Sequence, residues 1–158
     1  MKIGLISDTH LRETNRELTD LLSGPFRDVE MILHAGDITE LAVLGGLGGK
    51  KVHAVCGNMD SAAVRQTLPP KRIIQVGKMR IGLIHGWGGP QGIEERVAGE
   101  FRGVNGIVFG HTHTPGQSSR GGILLFNPGS FGAGWTQGKR SVGILQVSDQ
   151  ITGEVVWL

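Results

Sequence analysis

The sequence predicts an α/β fold in which two sheets pack together between helices. Three observations carry this: short apolar runs alternate with helix-like segments through the first two thirds of the chain, hairpin signals crowd the second half, and the 27 glycines cluster where strands end, with no repeat period. The runs KIGLIS (2–7), EMILHAG (30–36), KVHAVCG (51–57), MRIGLIHG (79–86) and NGIVFG (105–110) read as buried strands, because each is short, apolar and closed by a turn residue. Between the first two runs, Thr14 and Glu17 stand at capping-box spacing ahead of a helical segment at 18–22, which Gly24-Pro25 stops. The stretch GGLGGKK (45–51) fails the phosphate-loop pattern at Leu44 and Lys51, so it reads as a loop. Ile93, Val97 and Phe101 recur every four residues while Glu94, Glu95, Arg96, Glu100 and Arg102 face away, which predicts an amphipathic helix lying on a sheet. RIIQV turns back at Gly77-Lys78 into MRIGLIHG, and VGILQV and TGEVVWL flank Ser148-Asp149-Gln150, so two hairpins add antiparallel strands.

Length and composition bound the answer. A chain of 158 residues fits one domain, 1–158, able to bury roughly two thirds of its unfolded surface without a disulfide. The single cysteine, Cys56, lies in an apolar run and suits a reducing compartment and an inert buried thiol. The net charge is +2 and no basic run exceeds two residues, so nothing marks a nucleic-acid surface. No apolar stretch approaches the roughly 18 residues of a membrane span, and IGLI after Lys2 is too short for a signal segment. A soluble, cytoplasmic protein with no membrane partner is expected.

The polar residues that follow each apolar run form a pattern. Asp8 and His10 follow the first, Asp37 the second and Asn58 the third; the fourth ends in His85 and the fifth in His111 and His113. Residues just past the carboxyl ends of parallel strands converge on one crevice, so these seven can meet. If the segments are extended, residues i and i+2 point the same way, making Asp8 with His10, and His111 with His113, two pincers. Gly36, Gly57 and Gly110 directly precede candidates, where a missing Cβ permits a tight turn. Imidazole, carboxylate and amide donors without thiolate suit Mn, Fe, Zn, Co or Ni. Seven donors exceed one zinc site and fit two divalent ions, whose charge would outweigh two aspartates and a shared hydroxide and favour an anion such as phosphate.

The ordered set Ser7-Asp8-Thr9-His10, Gly36-Asp37, Gly57-Asn58-Met59-Asp60, His85, Gly110-His111-Thr112-His113 and Asn127-Pro128-Gly129-Ser130 resembles the calcineurin-like metallophosphoesterases. It is most similar to their small single-domain branch of bacterial and archaeal phosphodiesterases, which also includes the retromer subunit of that fold. The resemblance implies a four-layer αββα sandwich and a catalytic dinuclear centre, with Mn²⁺ the first choice of ion. By it, Asp8, His10 and His113 hold one ion, Asp37 bridges, and Asn58, His85 and His111 hold the other. Two ions roughly 3.5 to 4 Å apart would acidify a shared water, whose hydroxide attacks phosphorus in line, and no protein nucleophile is needed. A small phosphoester, most simply a diester, would be the substrate. The chain departs from many relatives at Met59, where a histidine often follows the GN pair; a thioether cannot protonate a leaving oxygen. That absence, and the retromer relative, give the competing expectation of a metal-binding scaffold without turnover.

Other polar residues have plainer readings. His34 and His53 sit within apolar runs and read as surface or hydrogen-bonded side chains rather than ligands. Asp60 reads as a structural or supporting acid near a helix start, and Asn127 to Ser130 as backbone geometry first and a substrate contact second. Arg12 and Arg120 could meet phosphate oxygens or simply face solvent. Trp87, in GWGGPQG, could border a substrate or plug the fold, and an exposed Trp157 would suit a homo-oligomer contact.

Overall fold

A computed structural model describes residues 1–132 and 139–158. Two five-stranded mixed sheets form, with four helices among the described residues. The first sheet has the order β10 (Ile151–Trp157), β9 (Ser141–Val147), β1 (Lys2–Ile6), β2 (Met31–His34), β3 (Lys51–Ala54). The second runs β4 (Lys71–Val76), β5 (Met79–Ile84), β6 (Gly106–Val108), β8 (Ile123–Asn127), β7 (Gly116–Arg120). Within each sheet three strands are parallel, β1–β2–β3 and β5–β6–β8, and antiparallel strands fill the remaining places.

Strand periodicity explains the layering. In β1, Ile3 and Leu5 point to one face and join Leu33, Ile81, Leu83, Val108, Phe126 and Leu145 between the sheets. Ile6 points to the other face and packs with Ile32, Leu18 and Leu21 of α1 (Arg16–Ser23), and Val43 of α2 (Ala42–Gly45). On the far side, Ile84, Ile107 and Leu125 meet Ile93 and Val97 of α4 (Ile93–Gly99), with Phe101 just beyond it. The result is the two-sheet sandwich flanked by helices that the sequence pattern predicts.

Several local expectations change. The helix at 18–22 forms as α1, but Asn15 rather than Thr14 caps it, its Oδ1 accepting from the Leu18 N–H at 2.9 Å. Thr14 instead donates to Ala42 O, and Glu17 accepts from Arg140, so no capping box closes. Ser61 caps α3 (Ala62–Thr67). Strands β7 and β8 pair around Gly121 and Gly122 in a hairpin that polar GQSSR concealed, because an edge strand exposed on both faces carries no apolar alternation. Residues 45–51 are mostly turn, as expected, after the single turn of α2. Cys56 is half-buried rather than enclosed. No helix among the described residues is long and apolar enough to cross a membrane.

Candidate metal centre

The five apolar runs do not share one sheet. β1, β2 and β3 belong to the first and β5 and β6 to the second, yet their carboxyl ends lie at the same edge of the sandwich. Within the second sheet the Gly110 N–H donates to His85 O (3.0 Å), and the Phe131 N–H, on the segment after β8, donates to Ser7 O at the end of β1 (3.0 Å), which ties the second sheet's edge to the first. The first sheet therefore delivers Asp8, His10, Asp37 and Asn58, and the second delivers His85, His111 and His113.

All seven meet. The ligand atoms of Asp8, His10 and His113 lie within 4.8 Å of one another, as do those of Asp8, Asp37 and His85. Asp37 Oδ2 is 3.4 Å from His85 Nε2 and 3.9 Å from His10 Nε2, so it faces both halves of the cluster. Asn58 Oδ1 lies 3.1 Å from His85 Nε2 and 3.0 Å from His111 Nδ1. His111 joins through Asn58 and stands at the margin of the group.

Four of the seven side chains are aimed by a second contact. His85 Nδ1–H donates to Ala35 O (2.8 Å), which turns the Nε2 lone pair inward. His111 uses the other nitrogen: Nε2–H donates to Gly88 O (2.9 Å) and leaves Nδ1 facing Asn58. Asp37 Oδ1 accepts from the Met59 N–H (2.8 Å), freeing Oδ2 for the centre. Asp8 Oδ2 accepts from Ser7 Oγ–H and from the His111 N–H, while Oδ1 is buried without a hydrogen bond, 3.0 Å from His113 Nε2. A buried carboxylate oxygen left unsatisfied is costly unless a cation completes it.

The pincers work for a reason other than the extended geometry expected. Asp8 (φ 53°), His10 (φ 49°), His111 (φ 71°) and His113 (φ 56°) are left-handed, as is Asp37 (φ 53°). The alternation at 8–10 and 111–113 thus curls each segment around the centre instead of laying it flat. Gly57 and Gly110 serve close approach: a Cβ at Gly57 would collide with Asp37 Oδ1, and one at Gly110 with Ser7 Oγ.

Further residues brace the cluster. Asp60, buried, accepts from the Thr39 N–H (2.6 Å) and the Gly57 N–H (2.7 Å), tying the turn after β2 to the turn after β3. Asn127 donates to Gly110 O and Thr112 Oγ1, both at 3.0 Å, and Ser130 donates to Asp8 O, so the NPGS turn buttresses the loops that carry Asp8 and His111. His34 is buried and hydrogen-bonded, the second of its two expected readings: its Nδ1 accepts from the Gly36 N–H (3.2 Å) and its Nε2–H faces Thr9 Oγ1 (3.2 Å). The spacing His34-x-Gly36-Asp37 was the available signal. Arg120 pairs with Glu95 on the surface, and Arg12 is exposed. His53 is half-buried beside Arg72 and Lys51.

Burial and charge act together. Burial opposes ionisation of Asp37, but His85 and the Met59 N–H hold its carboxyl below the usual carboxylate range. Burial likewise disfavours charging His85, but Asp37 and Asp8 raise it above the ordinary imidazole value. Burial takes His34 the other way, down to about 3, so it is neutral at any ordinary pH.

A buried carboxylate oxygen without a hydrogen bond, facing imidazoles at the joint edge of two sheets, defines a candidate centre for divalent cations. Residues 1–150 match the calcineurin-like phosphoesterase superfamily domain, and the chain belongs to that superfamily. It is 42% identical over 134 residues to a probable metallophosphoesterase of Methanocaldococcus jannaschii, covering 82% of this chain and 68% of that protein. Among solved structures, an archaeal phosphodiesterase superposes with a TM-score of 0.80 at 22% identity over the whole of both chains. Vps29 of Entamoeba histolytica, complexed with zinc, gives 0.74 at 22% identity over 99% of each chain. These two likenesses establish the fold.

Proposed function

We propose that this chain is a dinuclear metal-dependent phosphodiesterase, with Asp8, His10 and His113 holding one divalent ion, Asn58, His85 and His111 a second, and Asp37 both. The observation that carries the reading is Asp8 Oδ1, a carboxylate oxygen buried without a hydrogen bond and facing the Nε2 atoms of His113 and His10 at 3.0 and 3.9 Å. The donor set fits the ions: oxygen and imidazole nitrogen with no thiolate, favouring Mn²⁺ and compatible with Fe, Zn, Co or Ni. Once bound, such ions would supply a water acidic enough to attack phosphorus in line and positive charge against the phosphoryl oxygens.

The chain's own atoms do the aiming. The Ala35 and Gly88 carbonyls fix which nitrogen His85 and His111 present, and the Met59 and His111 N–H groups fix which oxygen Asp37 and Asp8 present. Met59 contributes that N–H while its thioether lies exposed, so it offers no proton to the leaving oxygen. Missing general-acid help costs about 10² to 10⁴ in rate, so diesters with acidic leaving groups are the favoured substrates. Similarity to the archaeal phosphodiesterase supports diester over monoester chemistry.

The test is turnover of bis(p-nitrophenyl) phosphate by chelator-stripped protein. Activity should be absent, return with Mn²⁺, and fail to return in His85→Ala. Tight metal uptake without turnover of any activated diester would favour the competing reading, a metal-stabilised scaffold.

A further inference from the structure

The candidate centre opens on one flank into a cleft of about 340 Å³ whose walls include Asn58 and His85. The remaining wall is largely apolar, with Pro70, Ile84 and Trp87, and the two charges at its rim, Lys71 and Glu100, pair with each other at 2.6 Å. A wall that neutralises its own charges offers little to a second anionic group. Trp87 is 44% exposed and Met59, next to Asn58, is 58% exposed; both large apolar side chains adjoin the centre. A larger cavity of about 590 Å³ lies between α4 and β7, but none of the seven cluster residues lines it.

The loop that presents Trp87 is held in place. The Arg96 guanidinium donates to the carbonyls of Trp87 (3.0 Å), Gln91 (2.9 Å) and Gly89, and His111 donates to Gly88 O. Four carbonyls of one short glycine-rich loop are thereby engaged, two of them flanking the Gly88 bond that orients His111. The backbone of a loop pinned in this way has its ordering cost met before a ligand arrives.

We infer that this cleft is a subsite for an aromatic ring carried on the phosphorus group, seated against Trp87. The inference rests on the phosphodiesterase reading, since it places phosphorus beside Asn58 and His85. The cleft lies within the size range of small-ligand sites, and its apolar wall with few polar groups suits a flat ring. It also accords with the exposed Met59, because aryl esters leave without proton assistance more readily than alkyl esters.

Binding of phenylphosphonate and of methylphosphonate to the Mn²⁺-loaded protein, by calorimetry, tests this without relying on turnover. The wild type should bind the phenyl compound roughly 10-fold more tightly, from ring burial and stacking together. Trp87→Ala should reduce that preference by roughly 2- to 10-fold and leave methylphosphonate affinity unchanged, while Trp87→Phe keeps most of it. Equal binding of the two compounds by the wild type, or an unchanged preference in Trp87→Ala, overturns the subsite and leaves the phosphodiesterase reading intact. Binding of neither compound by folded, metal-loaded protein also overturns the subsite, and turnover of bis(p-nitrophenyl) phosphate then decides the phosphodiesterase reading separately.

Discussion

The two ends of the sandwich handle the same backbone problem differently, one with glycine alone and the other with polar residues as well. At the end away from the candidate centre, the β4–β5 and β7–β8 hairpins need positive φ and use Gly77, Gly121 and Gly122. At the centre's end, glycines such as Gly36, Gly86 and Gly129 share positive φ with Asp8, His10, Asp37, Thr39, His111 and His113, the six such non-glycine residues among those described. A non-glycine left-handed residue costs on the order of 1 kcal/mol or more, so glycine would be the cheaper choice unless the side chain is needed. The buried polar residues show the same asymmetry: Ser7, Asp8, Thr9, His34, Asp37, Asp60, His85, Asn127, Ser130 and Ser141 all follow, end or begin strands at that edge. One end is built for stability and the other for what its side chains hold.

The largest break in that contrast comes from Asp37→Ala. Loss of the carboxylate that faces both halves of the cluster should lower diester turnover on the order of 10³-fold or more, beyond the 10- to 100-fold typical of groups that merely orient a ligand. Steady-state kinetics with saturating Mn²⁺ checks it, and a variant retaining a tenth of wild-type activity would remove Asp37 from the centre.

Next in size is an acid sensitivity specific to the centre's end. His34 refuses a proton in the folded chain until about pH 3, whereas the unfolded chain takes one below about 6.5. Stability contributed by its neutral form is therefore lost as pH falls through that window, on the order of 3 kcal/mol between pH 7 and pH 4. Urea unfolding at both values should show metal-free His34→Gln losing less stability than the metal-free wild type over this interval. Parallel losses in the two proteins would show that His34 does not carry the effect.

This asymmetry also marks what the sequence made legible. The sheet interior was readable because apolar runs such as EMILHAG and MRIGLIHG announce buried strands, and the seven cluster residues because each directly follows or closes such a run. The chain's allotment of the runs to two sheets was not readable from periodicity, which does not report which strands pair. Neither was β7, whose GQSSR lacks a buried face, nor the left-handed curl of 8–10 and 111–113, which depends on contacts such as Asp8 N–H to Gly36 O. For His34 a hydrogen-bonded reading was available, but its partners, Gly36 N–H and Thr9 Oγ1, depend on how the loops after β1 and β2 meet.

Smaller effects sharpen the comparison. Asp60→Asn removes one anionic oxygen from the strap between the turns after β2 and β3, and should weaken Mn²⁺ binding about 10- to 100-fold. An unchanged affinity in a calorimetric titration would make Asp60 a fold residue only. Smallest is the reciprocal exchange at the two ends: His10→Gly should leave metal-free stability equal or raise it by about 1 kcal/mol, and Gly77→Ala should lower it by about 1 kcal/mol. Thermal melts of the stripped proteins measure both, and a destabilised His10→Gly would mean that His10 supports the fold itself.

The most direct measurement is the number of ions each chain holds. Stripped protein reloaded with Mn²⁺, desalted and subjected to elemental analysis should carry two ions per chain, and Asn58→Ala should carry one. A wild type that retains fewer than two, or an Asn58→Ala variant that still retains two, would contradict the assignment of these seven side chains to a dinuclear centre.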